Sequence, residues 1–349
     1  MRKVILWIVA ILISIIIGVA VSVVIWYNIQ LTPFSSDTSQ LKNITIALDS
    51  TPKQIGQQLK DQSIIRSATA FDIYLRLSGK RDVLKAGTYS LSSSETTPQI
   101  VEHFISGSVD TFDITFYPGA TLIDKSDKPD AEKYDVTTVL KNAGYSDDEI
   151  SNALNETYES PLFAEKPLSA DLEGYIYGET YNFNIGATLQ DILNRTFEEF
   201  YQVVQDNNFV ESFASHNLSL YQGITLASII QREASSPEDQ KKVAQVFYSR
   251  LNSGMMLGSD VTYQYIADKT GVARDINLDS PYNTRRYVGL PPGPIATPGL
   301  SALLAVASPA EGDYLYFLSG DDGVMYFAMT NAEHEANIAD HCQEGCITP

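Results

Sequence analysis

The sequence predicts an α+β protein: a single N-terminal transmembrane helix, a small α+β subdomain, and then a larger mixed α+β domain. Three observations carry this. Val4–Trp26 contains no charge, residues 43–110 alternate strand and helix signals, and residues 111–340 mix helices with short strands and Pro/Gly-rich loops without an internal repeat.

The first element is "MRKVILWIVAILISIIIGVAVSVVIW". A helical rise of about 1.5 Å per residue lets Val4–Trp26 cross a hydrocarbon core about 30 Å thick. Arg2 and Lys3 ahead of it favour a cytoplasmic N-terminus (residues 1–3), which puts the body of the protein outside the cytoplasmic membrane. A cleaved signal would have a shorter apolar run and an Ala-x-Ala-like site. Here the run ends in Trp26 and Tyr27, which suit a membrane interface, so an uncleaved anchor is expected. Residues 27–42 are polar and aperiodic and read as a stalk.

"NITIAL" (Asn43–Leu48) then reads as a strand. In the next helix Thr51 caps, Pro52 takes the first position and Gln54 completes a capping box. "SATAFDIYLRLSG" is a second helix, "AGTYSL" a strand and "TPQIVEHFISGS" a third helix, with Ile100, Val101, Phe104 and Ile105 on one face. "FDITFY" opens a new strand. Residues 125–170 are acidic, partly helical and expected at the surface. "LEGYIYGETYNF" is rich in aromatics and Gly, and "TLQDILNRTFEEFYQVVQDN" is a helix. "SSPEDQKKVAQVFYSRLNSG" is another, capped by Ser236 and ended near Gly254. "GLPPGPI" (Gly289–Ile295) has little backbone freedom and reads as a rigid groove wall. "GLSALLAVASP" is a helix, and "DYLYFLSGDDGVMYFAM" a hairpin turning at Asp321–Asp322–Gly323.

There are 43 acidic residues against 24 basic ones, a net charge of −19, which argues against nucleic acid or anionic lipid as a partner. Two cysteines, Cys342 and Cys346, lie in the tail at 341–349. Outside the cytoplasm they can form a small disulfide loop. With His341 beside them a metal site is conceivable, but a tail pair without a catalytic part is the simpler reading. No cofactor or metal is expected.

"LASIIQREAS" carries the most informative residue. At about 100° per residue, Leu226, Ile229, Ile230 and Glu233 share one face, and Ser228, Gln231 and Arg232 the other. A carboxyl in an apolar setting keeps its proton to higher pH, and protonating a glycosidic oxygen requires such an acid. A structural ion pair with an Arg would place a Glu there too. The chain also has 20 tyrosines. Tyr175, Tyr177, Tyr181, Tyr282 and Tyr287 fall in irregular stretches, where aromatic faces suit sugar rings, although each one suits core packing as well.

The segments "LEGYIYGETYNF", "LASIIQREAS", "VAQVFYSRLNSGMMLGSDVTYQYI", "SPYNTRRYVGLPPGPIATPG" and "YLYFLSGDDGVMYFAMTNAEHEANI" together resemble the endolytic murein transglycosylases, the YceG-like family. The likeness runs from the anchor to about Ile338. It implies a LysM-like subdomain at 43–110 and a catalytic domain at 111–340. It also implies cleavage between N-acetylmuramic acid and N-acetylglucosamine inside nascent peptidoglycan strands, leaving 1,6-anhydro ends. By this resemblance Glu233 is the single catalytic acid/base, and cell-wall synthases are partners. Glu173, Tyr175, Asp260, Thr262, Tyr282 and Asn283 are expected at the substrate. Local chemistry leaves other roles open: Asp260 could be a helix cap, and Asn283 a turn former after Pro281. The family commonly has Pro where this chain has Val261, and a Pro–acid pair where it has Gly178 and Glu179. These departures bear on loop rigidity and substrate register rather than on the acid. His334 matches a family position but also reads as a helix-surface residue. A peptidoglycan-binding scaffold without catalysis and a muramidase-type hydrolase remain the competing functions.

Overall fold

The computed structural model describes residues 2–35, 41–48, 50–107, 111–125 and 131–343. Residues 36–40 of the stalk, 126–130 of the acidic insert and Cys346 lie outside the described residues. The fold mixes helices and strands, and among the described residues each of the three sheets is a two-stranded ribbon. The chain divides into two compact units, Met1–Phe112 with Asn182–Ala187, and Asp113–Tyr181 with Thr188–Pro349.

The first unit begins with α1, Arg2–Gln30. Its stretch Ile11–Gln30 has a mean hydropathy of 2.3 and is not buried by the rest of the protein. Its length and composition are compatible with a single-pass anchor. Ser22 and Asn28 each donate to one of the helix's own carbonyls, at Gly18 and Val24, 2.8 and 2.9 Å away, so part of their polarity is satisfied within the helix. Next come β1 (Leu41–Ile46), α2 (Pro52–Asp61), α3 (Ala68–Ser78), β2 (Gly87–Ser92) and α4 (Thr97–Ser106). The expected capping box at Thr51 and Gln54 is present, and Thr96 and Gln99 form a second one on α4. β1 and β2 pair antiparallel from Leu41 opposite Ser92 to Ile46 opposite Gly87. Alternation along β1 turns Ile44 and Ile46 inward, onto Ile55, Leu59, Phe71, Leu75, Val101 and Phe104. Tyr89 meets Phe104 edge to face at 4.8 Å and donates to the carbonyl of Lys85, so its one polar atom is satisfied inside the core.

Both β3 (Thr111–Thr115) and β4 (Thr180–Asn184) pass from one unit into the other. The second unit holds α5 (Ala131–Tyr134), α6 (Val136–Asn142), α7 (Asp147–Asn155), α8 (Leu189–Asp206), α9 (Phe209–Ser215), α10 (Leu220–Glu233), α11 (Pro237–Asn252), α12 (Asp260–Thr270) and α13 (Leu300–Ala307). The hairpin β5 (Tyr316–Ser319) with β6 (Met325–Ala328) and then α14 (Asn331–His341) complete it. The hairpin turns at Asp321–Asp322–Gly323 as expected, with Gly323 at φ +75° and Gly320 N–H bonded to Val324 O.

The centre of this unit is α10. The periodicity of "LASIIQREAS" implied an amphipathic helix with Ser228 turned away from the core. The structure corrects this: Gly223 to Ile230 are buried on every side, because α11 and α13 pack on α10 and α9 and α12 also touch it. Ser228 is tolerated inside because its hydroxyl donates to Thr225 O and accepts from Ile295 N–H, at 2.7 and 3.0 Å. The "GLPPGPI" stretch, expected as a rigid groove wall, is in part packed into the core. It lies against α10, where Tyr221 donates to Pro292 O at 2.8 Å and Ile295 is fully buried.

Close packing also explains two glycines. A Cβ on Gly223 would lie 2.1 Å from the buried Phe213 ring. Gly223→Ala is therefore expected to lower stability by roughly 1–3 kcal/mol through overpacking, read as a lower denaturant midpoint with an unchanged slope. A Cβ on Gly178 would lie 2.5 Å from the backbone nitrogen of Pro118, so this position admits no side chain.

Candidate active site

Glu233 is the last residue of α10. The chain leaves the helix at once, Ala234 being extended at φ −142° and ψ 142°. Gln240, buried on α11, holds this exit by donating to Ala234 O at 2.9 Å. The part-buried carboxyl lines two clefts of the second unit. The first, about 730 Å³, is walled by Pro118, Gly119, Thr121, Tyr134, Gln231 and Arg232. The second, about 530 Å³, is walled by Arg250, Asp260, Arg285, Tyr316, Asn331 and His334. Gln231 secures the end of α10 by accepting from Gly299 N–H at 2.9 Å.

Burial raises the Glu233 carboxyl to about 7. The Ser259 hydroxyl, donating to Oε1, pulls the other way; Asp260 adds to the rise, and Arg285 and Arg232 oppose it. A carboxyl so raised keeps its proton well above the usual carboxylate range. Asp260, across the second cleft, forms an ion pair with Arg285. It is the first residue of α12 rather than its cap; Ser259 holds the cap position. His334 stacks on Tyr316 at 5.2 Å, and burial followed by the Arg250 charge pushes its imidazole down, which favours the neutral ring.

The other residues expected at the substrate line neither of these two clefts. Glu173 is 2% exposed and its carboxylate is fully engaged by Leu122 N–H, Tyr265 OH and Lys269, at 3.0, 2.9 and 3.3 Å. Tyr175 is packed between Phe163 and Phe200 in the core. Thr262 is fully buried and donates to Ser259 O at 2.7 Å. Asn283 is the turn former: its amide donates to Ile276 O and Leu278 O, both at 2.9 Å, and its oxygen accepts from Arg285 N–H at 3.0 Å. Tyr282 is half-buried, its ring 5.3 Å from that of Tyr265. Of the seven expected residues, Glu233 and Asp260 line the clefts. Tyr177 and Tyr181 are also buried, and Tyr287 is exposed.

Ser259, Arg250 and Arg285 were not marked by sequence. Ser259 reads as an ordinary cap before "DVTY", and the guanidiniums follow no spacing that would single them out. Cys342 is disulfide-bonded. Among the described residues no cluster of His, Cys, Asp and Glu could hold a metal ion.

The Glu233 carboxyl, raised by burial and lining two clefts at the end of an enclosed helix, sits in a protein of the α+β class. The chain belongs to the YceG-like family, whose model matches residues 44–340. A Bacillus subtilis protein named endolytic murein transglycosylase is 33% identical over 317 residues, covering 87% of this chain and 86% of its own length. A Streptococcus pneumoniae protein of the same name is 27% identical, covering 89% of this chain and 60% of its own length. A crystal structure of a yceG-like protein from Listeria monocytogenes matches 85% of this chain and 99% of its own, with a TM-score of 0.52 and 27% identity.

Proposed function

We propose that this protein is a membrane-anchored lytic transglycosylase that cuts the MurNAc–GlcNAc bond inside nascent peptidoglycan strands. The observation that carries the proposal is the Glu233 carboxyl, raised to about 7 where two clefts meet. The names of the relatives supply the substrate class. Glu233 protonates the bridging oxygen as the bond to muramoyl C1 breaks. Its carboxylate then takes the proton of the muramoyl C6 hydroxyl, whose oxygen bonds to C1 and closes the 1,6-anhydro ring. The attack is intramolecular, so one carboxyl suffices and no water need be activated.

Glycoside hydrolases usually require a second, free carboxylate. Of the two candidates named from the sequence, Asp260 is paired with Arg285 and Glu173 is bound up in the core, so neither stands free for that role. Glu173, Tyr175, Thr262 and Asn283 act on this reading as supports rather than sugar contacts. Residues 4–26 form the anchor, with residues 1–3 cytoplasmic, 27–42 the stalk and 341–349 a tail. Residues 43–110 act as a LysM-like glycan-binding module, 111–340 as the catalytic domain, and cell-wall synthases are the protein partners. The full-length protein, incubated in detergent with isolated glycan strands, is expected to leave 1,6-anhydro ends by mass analysis. Reducing muramoyl ends would identify a muramidase instead, and uncut strands a binding scaffold.

A further inference from the structure

Among the described residues, Ser and Thr occupy the N-cap of nine α-helices, and eight of these side chains accept a hydrogen bond from their own helix. Thr51, Ser67, Thr96, Ser146, Thr188, Ser219, Ser236 and Thr330 all do so. Ser259, at the N-cap of α12, makes no such side-chain bond. Its hydroxyl is turned instead to Glu233 Oε1. The residue is 2% exposed, and its backbone is gripped from both sides. Thr284 Oγ1 accepts from Ser259 N–H at 3.1 Å, and Thr262 Oγ1 donates to Ser259 O at 2.7 Å. The two threonine hydroxyls lie 3.0 Å apart, and Thr284 N–H donates to Thr262 Oγ1 at 3.2 Å. Gly258 N–H donates to Thr284 O at 2.9 Å, closing the grip one residue earlier.

We propose that Ser259 is the positioning residue for Glu233, fixing the carboxyl's rotation so that Oε2 carries the proton given to the substrate. The inference rests on Glu233 being the acid. In a neutral carboxyl the carbonyl oxygen is the better acceptor, so a hydroxyl donating to Oε1 leaves the acidic proton on Oε2. As that proton departs, charge spreads over the carboxylate and the Ser259 bond becomes charge-assisted, strengthening in the transition state. Thr262 and Thr284 act one step further out, holding Ser259 by its backbone. Asp260 and the guanidiniums of Arg232, Arg250 and Arg285, with Asp124 and Tyr134 on the first cleft and Tyr316 and His334 on the second, are the charged and titratable groups facing this carboxyl.

The test compares Ser259→Ala, Ser259→Thr and Glu233→Gln in the full-length protein on isolated glycan strands, with thermal unfolding as the folding control. Ser259→Ala is expected to lower kcat about 10- to 100-fold with little change in KM, the scale of losing alignment at a reacting group. It is also expected to move the alkaline limb of the pH–rate profile upward, because a bond that favours the carboxylate is gone. Ser259→Thr, which keeps the hydroxyl, recovers most of the rate and the wild-type limb. A folded Ser259→Ala with wild-type kcat, or with a lowered kcat and an unmoved limb, overturns the proposal. If Glu233→Gln is inactive in that same experiment, the acid assignment stands and only the role of Ser259 falls. If Glu233→Gln still makes anhydro ends, the acid assignment is wrong, and the Ser259 proposal falls with it.

Discussion

Glu233→Gln is expected to lower kcat for strand cleavage by roughly 10²- to 10⁴-fold, the contribution of a positioned general acid. Gln preserves the shape of the side chain and can still accept from Ser259, so KM and the fold should change little. What it lacks is a proton to give. In the wild type, kcat/KM should fall as pH rises through about 7, where Glu233 becomes ionised in the free protein. Stability follows the same group. A carboxyl whose folded value lies above its ordinary 4.5 binds more protons folded than unfolded between 4.5 and about 7, so its contribution declines as pH rises through that window. Glu233→Gln removes this decline, and its denaturant midpoint relative to wild type should be higher at pH 8 than at pH 4. Kinetics and unfolding curves at the two pH values check both statements; anhydro product at the wild-type rate would refute the assignment.

The second large effect is expected at Lys269. Its ammonium lies 3.3 Å from the buried Glu173 carboxylate, 2.7 Å from Asp171 and 2.8 Å from Tyr265 OH. Burial pushes the Glu173 carboxyl up, and Lys269 is the chief influence holding it down. Lys269→Ala leaves an uncompensated interior carboxylate, which should cost roughly 3–5 kcal/mol at pH 8. Without the ammonium the folded Glu173 value rises further above the unfolded one, so the folded variant gains protons as pH falls. The deficit should therefore shrink between pH 8 and pH 5. Unfolding midpoints of Lys269→Ala against wild type at those pH values test this. A double variant, Glu173→Gln with Lys269→Met, should recover part of the loss, because no charge then remains to be solvated.

Local signals were legible wherever the chemistry is local. The capping box at Thr51, the start of α11 at Ser236 and the hairpin at Asp321–Gly323 follow from residues within four positions of one another. Glu233 was singled out on a premise that the fold replaces. The stripe through Leu226 and Ile230 suggested one apolar face, whereas segments about 70 residues downstream bury Ser228 as well. Composition alone could not separate a Tyr or Asn that meets ligand from one that meets protein. Tyr175 and Asn283 turned out to be the latter, because their partners come from α8 and from the loop after α12. Ser259 was hidden for the opposite reason: its local role as a cap is so ordinary that nothing in "LGSD" hints at a hydroxyl directed 26 residues back along the chain.

The pair of clefts at Glu233 bears on kinetics as well as geometry. For an enzyme of the proposed function, an acid that lines two clefts needs no chain terminus to begin, so the effective substrate is the internal linkage and not the strand. On the reading proposed above, rate then scales with polymer mass rather than with the number of molecules. A single event can halve a strand, and mean length collapses long before much material is released as small fragments.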